Sequence, residues 1–190
     1  MNQAQQKFGE PLEMVRKKIF PHLNGMIREF IEQAPFAVVA TANGEGDCDA
    51  SPKGGKPGFV KVLDEKHLLF PDIAGNNLFQ SYENLESNPK AGLLFLIPGC
   101  DWTCRVNGRV RVVSAQDEGG LEGASPEVFA EDGNTRLLQG MLLEVDEAYT
   151  HCPRAFLFSK LWDTDGIAET RATDPNKYWL GRWREEMAKA

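Results

Sequence analysis

Short β-rich segments alternate with tight-turn residues between residues 36 and 113, and this pattern restricts most strongly what the chain can fold into. The segment FAVVATA, residues 36–42, runs into NGEGD, which is typical of a turn, and predicts a hairpin whose second strand covers residues 48–51. FVKVL and HLLF flank the turn residues DEK and predict a second hairpin over residues 59–70. The pattern therefore favours a sheet built from hairpins.

Two further apolar segments continue the sheet. AGLLFLI, residues 91–97, is continuously apolar, whereas TCRVNGRVRVV, residues 103–113, alternates between polar and apolar residues. Its predicted polar face carries Arg105, Asn107, Arg109 and Arg111, and its predicted apolar face carries Val106, Val110 and Val112. Six strands with short turns indicate antiparallel pairing, and such sheets close into barrels that remove their edges. We therefore expect a mainly β (α+β) fold, a six-stranded antiparallel barrel with flanking helices.

Helical patterns flank the predicted barrel. Residues 10–35 predict two helices with a break near Pro21. The apolar face of the second helix consists of Met26, Ile27, Phe30 and Ile31. RLLQGMLLEVDEAY, residues 136–149, returns to strand, and HCPRAFLFSKLW, residues 151–162, predicts a short helix or turn. Ser125 begins a capped helix candidate in a stretch that we interpret as an insertion or lid.

Length and charge limit the domain organisation and the class of partner. The chain has 190 residues, 42% of them hydrophobic, which is enough for one sizeable core and too few for two full domains. We expect one domain over residues 1–190, with N-terminal helices at 1–34, the barrel and its helices at 36–162, and a polar C-terminal tail at 163–190. The net charge of −7 argues against nucleic acid as a partner, because phosphate-binding surfaces are basic.

Neither a membrane segment nor a metal site is expected. No apolar run approaches the roughly 20 residues that a membrane span needs, and the N-terminus has no signal-peptide pattern, so we expect a cytoplasmic protein. The four cysteines are scattered and contain no C-x-x-C pair. We interpret them as reduced thiols rather than as metal ligands.

The segment around Gly75-Asn76-Asn77 joins a strand to a helix predicted over residues 77–86. Leu78, Tyr82 and Leu85 form the inner face of this helix, and Asn76 or Asn77 is its predicted N-cap. A helix start presents unpaired N–H donors and binds phosphate readily. The cations expected nearby are Lys53, Lys56, Lys61 and Arg105. The alternative is that the asparagines only cap the helix and the cations are solvated surface charges.

Several ordered motifs between residues 9 and 163 carry a resemblance to a known family. They are SPKG, PGFV, PDIAGN, NPKAGLLF, RVNG and HCPRA. In this order they resemble the pyridoxamine 5′-phosphate oxidase-like, FMN-binding split-barrel family, in its poorly characterised bacterial branch. The resemblance implies a homodimer of split barrels that binds FMN in clefts at the dimer interface.

The resemblance also implies the residues that hold the cofactor. The segment 58–61, with Phe59, Val60 and Lys61, is expected to run beside the flavin ring. The residues expected at the ribityl phosphate are Pro71, Asp72, Asn76 and Asn77. Lys53 is the first choice for binding the charge of the phosphate or of a substrate, and Lys61 is the second. Arg105 and Asn107 are expected to reach the flavin or the adjoining cleft. The pocket is expected to be completed, from the same subunit or from the other one, by His151, Arg154 and Trp162. No residue is assigned a catalytic role.

The resemblance implies an FMN-dependent oxidoreductase acting on a small organic substrate. One departure bears on this expectation, because relatives often carry Arg around the Gly-Asn step, where this chain has Ile73, Ala74 and Asn77. In that case either Lys53, Lys61 and Arg105 bind the charged phosphate, or the chain does not bind FMN. The alternatives are a non-catalytic barrel that binds a flavin, a deazaflavin or a haem-like ligand, and a barrel whose cleft binds nothing.

Overall fold

The structure is a computed structural model that describes residues 2–118, 120–122, 124 and 136–189. The chain divides into two compact units, which are described separately. The barrel unit comprises Met1–Ile97 and Trp102–His151, and the C-terminal unit comprises Pro98–Asp101 and Cys152–Ala190. The helix candidate at Ser125 lies outside the described residues. The expectation of one domain over residues 1–190 stays a prediction.

A seven-stranded antiparallel sheet forms the centre of the barrel unit. Its strands are β1 (Phe36–Ala42), β2 (Cys48–Gly54), β3 (Lys61–Val62), β4 (His67–Ile73), β5 (Lys90–Leu96), β6 (Thr103–Ser114) and β7 (Leu137–His151). Their order in space is β2-β1-β5-β6-β7-β4-β3. The split-barrel α+β fold is therefore confirmed, although the sheet has one strand more than the six predicted, because β7 pairs between β6 and β4.

Four helices belong to the barrel unit and three to the C-terminal unit, within the described ranges. They are α1 (Gln3–Phe8), α2 (Glu13–Lys17), α3 (Gly25–Gln33) and α4 (Gln80–Ser87), then α5 (Arg154–Ser159), α6 (Thr164–Ala172) and α7 (Pro175–Met187). Across the described residues, no helix combines the length and the apolar character that a membrane crossing requires. The short helix predicted after residue 151 is confirmed as α5.

The core lies between the inner face of the sheet and helix α3. Ile27 and Ile31 on α3 are fully buried, as the predicted apolar face requires, whereas Met26 at the edge of that face is exposed. Strand β5 contributes Leu93 and Phe95 to the core, with relative exposures of 2% and 0%. The side chains of consecutive odd-numbered residues on β5 therefore point inward, and those of the even-numbered residues point outward.

Strand β6 departs from its predicted alternation near its end. Val106 and Val110 are buried as predicted, but Val112 is 41% exposed and Val113 takes the buried position. The pairing of β6 with β7 also shifts between Asn107 and Gly108. The alternation of buried and exposed side chains therefore does not continue to the end of this strand.

The sheet is open between its edge strands β2 and β3. Strand β3 has only two residues and pairs with Leu68 and Leu69, so the later residues of β4 have a free edge on that side. Lys53 on β2 reaches Asp72 on β4, with 3.0 Å between Nζ and Oδ1. This ion pair crosses the split and joins the two ends of the sheet.

Candidate functional site

A cavity of about 260 Å³ lies at the split in the sheet. Strand β2 forms one wall, the end of β4 forms another, and the loop from Gly75 to Phe79 together with the first turn of α4 closes it. Asp49, Ser51 and Lys53 alternate along β2 and line the cavity. The split, the loop and the edge strand therefore meet at one concave site.

The loop before α4 lines the cavity and contains backbone donors without acceptors. The amides of Gly75, Asn76 and Asn77 donate to no acceptor among the described residues. Asn77 and Phe79 have φ angles of 59° and 49°, and Leu78 between them does not share this left-handed conformation. Alternation of this kind occurs in backbone nests that bind anions.

The same left-handed residues correct the predicted start of the helix. Helix α4 begins at Gln80, after the N-cap residue Phe79, and not at residue 77. The Asn76 side chain accepts a hydrogen bond from the Leu78 amide at 3.1 Å and caps no helix. Leu78 is 62% exposed, so its predicted place on the inner face is wrong, whereas Leu85 is buried as predicted. A left-handed residue interrupts the helical turn, and this moves the start towards the C-terminus.

The cavity is lined by charged side chains of both signs. Lys53 is the only Lys or Arg among the described residues of the lining. The carboxylates of the lining are those of Asp49 and Asp72. Asp72 is paired with Lys53, and their side chains are 11% and 25% exposed. Asp49 accepts a hydrogen bond of 2.7 Å from Ser81 Oγ, at the start of α4. The lining is therefore negative by one charge.

Tyr82 lines the cavity close to Asp72. Its hydroxyl is buried near Asp72 and Gln139, without a hydrogen bond of full geometry to either. Burial and the neighbouring Asp72 carboxylate raise the pKa of Tyr82, so the phenol stays protonated at neutral pH. Tyr82 therefore acts here as a neutral group.

Replacing Tyr82 by phenylalanine should leave the free energy of unfolding unchanged or raise it by about 1 kcal/mol. An unpaired buried hydroxyl costs about 1–3 kcal/mol, and the substitution removes it while keeping the ring. Denaturant unfolding followed by circular dichroism measures the change, with Ser81→Ala as the control that breaks a formed hydrogen bond. A loss of stability in Tyr82→Phe larger than in Ser81→Ala would show that the hydroxyl has a partner.

The structure brings four of the predicted cofactor residues together. Lys53, Asp72, Asn76 and Asn77 all line the cavity. Pro71 is buried behind it and pairs with Gly140 on β7. The sequence analysis did not single out Asp49 or Ser81. Extending β2 to Gly54 would have placed Asp49 on one face with Ser51 and Lys53, but no sequence signal indicated Ser81.

The other predicted residues lie outside this cavity. Phe59 and Val60 are each 1% exposed and have their side chains in the core, while Lys61 on β3 pairs with Leu69 on β4. Arg105 and Asn107 project from the outer face of β6, where Asn107 donates to Glu147 at 2.7 Å. Their proposed contacts with a cofactor stay predictions.

Trp162 and Arg154 belong to the C-terminal unit. Trp162 Nε1 donates to the Cys100 carbonyl at 3.0 Å, and its ring stacks on Phe156 with 5.9 Å between the ring centroids. The guanidinium of Arg154 lies 4.7 Å from the centroid of the Phe158 ring. Each side chain thus has a partner within its own unit, and a role at the cofactor stays a prediction.

Neither a metal site nor a reactive buried thiol is found in the described part of the chain. No group of three or more His, Cys, Asp or Glu side chains there is arranged to hold a metal ion. All four cysteines are free thiols. Cys104 is buried, and burial raises the pKa of its thiol to about 12, so it is not a nucleophile at neutral pH.

The residues at the split fit part of an FMN molecule. The unpaired amides and Lys53 are suitable donors for phosphate oxygens, while Asp49 and Asp72 weaken the attraction for a group with two negative charges. Pockets for ligands of this size usually measure about 300–1,000 Å³, so a cavity of about 260 Å³ takes the phosphate and ribityl part only. The flavin ring would need a further wall.

A family model described as pyridoxamine 5′-phosphate oxidase matches residues 23–149. No curated protein matches the chain.

Three solved structures are similar in fold. A single-residue variant of HupZ from Group A Streptococcus, at 1.98 Å resolution, has a TM-score of 0.52 and 17% identity over 68% of this chain and 99% of that one. HupZ itself at 1.70 Å has a TM-score of 0.51 and 16% identity, over 67% and 92% of the two chains. An FMN-binding protein from Syntrophomonas wolfei subsp. wolfei has a TM-score of 0.48 and 12% identity, over 67% and 89%. The two HupZ structures support the fold alone.

Proposed function

The chain belongs to the pyridoxamine 5′-phosphate oxidase family, and on this premise we propose that it is a flavoprotein, an FMN-dependent oxidoreductase that acts on a small organic substrate. The observation that carries the proposal is the cavity at the split, which is lined both by residues with unpaired backbone amides and by Lys53. FMN supplies the redox chemistry when bound, and the protein supplies binding and orientation.

The loop from Gly75 to Phe79 holds the phosphate in this proposal. Its amides carry no charge, so they bind oxygen atoms without the repulsion that a crowded set of cations would suffer, and the left-handed Asn77 and Phe79 orient them. Lys53 supplies the one positive charge of the lining, and its Nζ is also paired with Asp72 Oδ1 at 3.0 Å. Binding therefore depends more on the backbone than in a site lined by arginines.

We propose a homodimer as the source of the missing wall. The outer face of β1 and β5 carries apolar side chains that the barrel unit leaves half-exposed, and Val38 pairs with Leu94 and Phe36 with Leu96 across it. Phe36 is 37% exposed. A second copy that covers this face by two-fold symmetry would bury these side chains and bring its own outer face towards the flavin ring.

The test of the proposed function is the visible spectrum of the purified protein before and after anaerobic addition of NADH or NADPH. We expect a flavin spectrum that is bleached by one of the two donors. A flavin spectrum that neither donor changes, and that no candidate substrate changes, would support a non-catalytic ligand-binding barrel instead. Protein that is colourless and takes up no added FMN would contradict both.

A further inference from the structure

Three side chains surround the ring of Tyr149 on the outer face of the sheet, away from the cavity at the split. Arg105 Nη1 donates to the Tyr149 hydroxyl at 3.1 Å, and its guanidinium carbon lies 5.6 Å from the ring centroid. Lys18 Nζ lies 5.7 Å from that centroid, and the His151 ring centroid lies 5.3 Å from it. Lys18, Arg105, Tyr149 and His151 are called the cationic cluster below.

The cations of this cluster have no carboxylate partner among the described residues. Neither Lys18 nor Arg105 forms a salt bridge there, although both are half-buried. Lys18 donates to the Thr150 carbonyl at 2.9 Å. Glu147, on the same face, instead accepts a hydrogen bond from Asn107. Half-buried cations without counter-charges create a local positive potential in a chain whose net charge is −7.

His151 adds a polar atom that has no partner. Its Nε2 is buried and forms no hydrogen bond with the described residues. Burial, followed by the nearby charges of Arg105 and Lys18, lowers the pKa of His151, so the imidazole is neutral at neutral pH. Buried polar atoms are nearly always hydrogen-bonded in folded proteins, so an orphaned one points to an absent partner.

We propose that the cationic cluster is a binding site for the carboxylate or phosphate group of a small molecule. Arg105 uses one of its five N–H donors in the bond to Tyr149, and its planar fork matches an oxyanion with two parallel bonds. Lys18 keeps two donors, and the Tyr149 hydroxyl, which accepts from Arg105, keeps its own hydrogen to donate. Charge-assisted bonds of this kind are roughly twice as strong as neutral ones.

This site shares no lining residue with the cavity at the split that carries the proposed function. Its residues come from β6, β7 and the segment after α2, whereas those of the cavity come from β2, β4 and the loop before α4. Loss of flavin binding would therefore leave the cationic cluster intact. A polyanion such as nucleic acid is a poor ligand here, because the negative net charge of the chain repels it over longer distances.

The test follows the histidine signals of the full chain by NMR, because the protein has only three histidines. Sodium sulfate is added as the probe for a tetrahedral oxyanion and sodium acetate as the probe for a carboxylate, with sodium chloride at equal ionic strength as the screening control. We expect a saturable shift of the His151 signal with sulfate or acetate, and a raised pKa of His151, since a bound anion stabilises imidazolium. The signals of His22 and His67 should follow the chloride control.

Two matched substitutions on β6 complete the test. Arg105→Gln should weaken the binding of sulfate or acetate, whichever of the two shifts His151, by about tenfold or more, because it removes one charge-assisted bond. Arg111→Gln, at an exposed position of the same strand, should leave it unchanged. Lys18→Gln gives a second loss variant that leaves β6 untouched. The proposal is overturned if neither probe shifts His151 beyond chloride, or if Arg111→Gln weakens binding as much as Arg105→Gln and Lys18→Gln.

Discussion

Replacing Phe95 by alanine should lower the free energy of unfolding by about 3–5 kcal/mol. Phe95 is fully buried on β5, between Ala37 on β1 and Cys104 on β6. The substitution removes the ring and leaves a cavity that these paired strands cannot collapse to fill. Denaturant unfolding measured by circular dichroism and tryptophan fluorescence gives the change.

Leu94 is the matched control, because it is the next residue on the same strand and points to the outer face. It is half-exposed in the chain, so Leu94→Ala should cost only about 1 kcal/mol of stability. In the proposed homodimer, this substitution should instead weaken self-association in sedimentation measurements. A loss of stability in Leu94→Ala equal to that of Phe95→Ala would mean that the wrong face of β5 has been assigned to the core.

Replacing Lys53 by methionine should weaken FMN binding by about 10–150-fold, the loss of one charge-assisted interaction of about 1.5–3 kcal/mol. Asp72→Asn should act in the opposite direction and strengthen FMN binding by about tenfold, because it removes a carboxylate and frees the Lys53 ammonium. Quenching of flavin fluorescence on titration measures both. Riboflavin, which lacks the phosphate, should respond to either substitution by less than about threefold.

Stability must be followed alongside affinity in these variants. Lys53→Met leaves the Asp72 carboxylate, which is 11% exposed, without its partner, and an unpaired buried charge costs about 3–5 kcal/mol. The double variant Lys53→Met with Asp72→Asn should recover most of this loss without recovering FMN affinity. Equal changes for FMN and riboflavin in the single variants would show that Lys53 does not contact the phosphate.

Local sequence patterns predicted which segments form strands more accurately than they predicted where those strands begin and end. Strand β1 has the predicted bounds, because β-branched residues and a turn define it from both sides. Strand β2 runs three residues beyond the predicted Ser51, through Pro52, which counts against strand structure in a sequence. Proline is tolerated there because β2 is an edge strand, and edge position depends on the order of the whole sheet.

Four residues of the cavity lining were predictable from the sequence, whereas the electrostatics of the cavity were not. Lys53, Asp72, Asn76 and Asn77 follow from the family resemblance and meet in one cavity. The neutralisation of Lys53 by Asp72 could not be predicted, because it depends on which two strands face each other across the split. Asp49 was missed for the same reason, since its contact with Ser81 joins residues 32 positions apart.

Phe59 and Val60 illustrate a second limit of the pattern. Both are buried although they are adjacent, so the alternation expected of a strand does not apply before β3 begins at Lys61. The left-handed Gly58, with φ of 83°, lets the chain turn both side chains into the core. Any contact of this segment with a flavin would therefore be made by its backbone.

The central claim is that the cavity at the split holds the phosphate of FMN, and a crystal structure of the protein grown with FMN tests it most directly. We predict phosphate oxygens within hydrogen-bonding distance of the Gly75, Asn76 and Asn77 amides and of Lys53, with a second copy of the chain against the flavin ring. FMN bound with its phosphate elsewhere, or crystals that contain no FMN at saturating concentration, would contradict the claim.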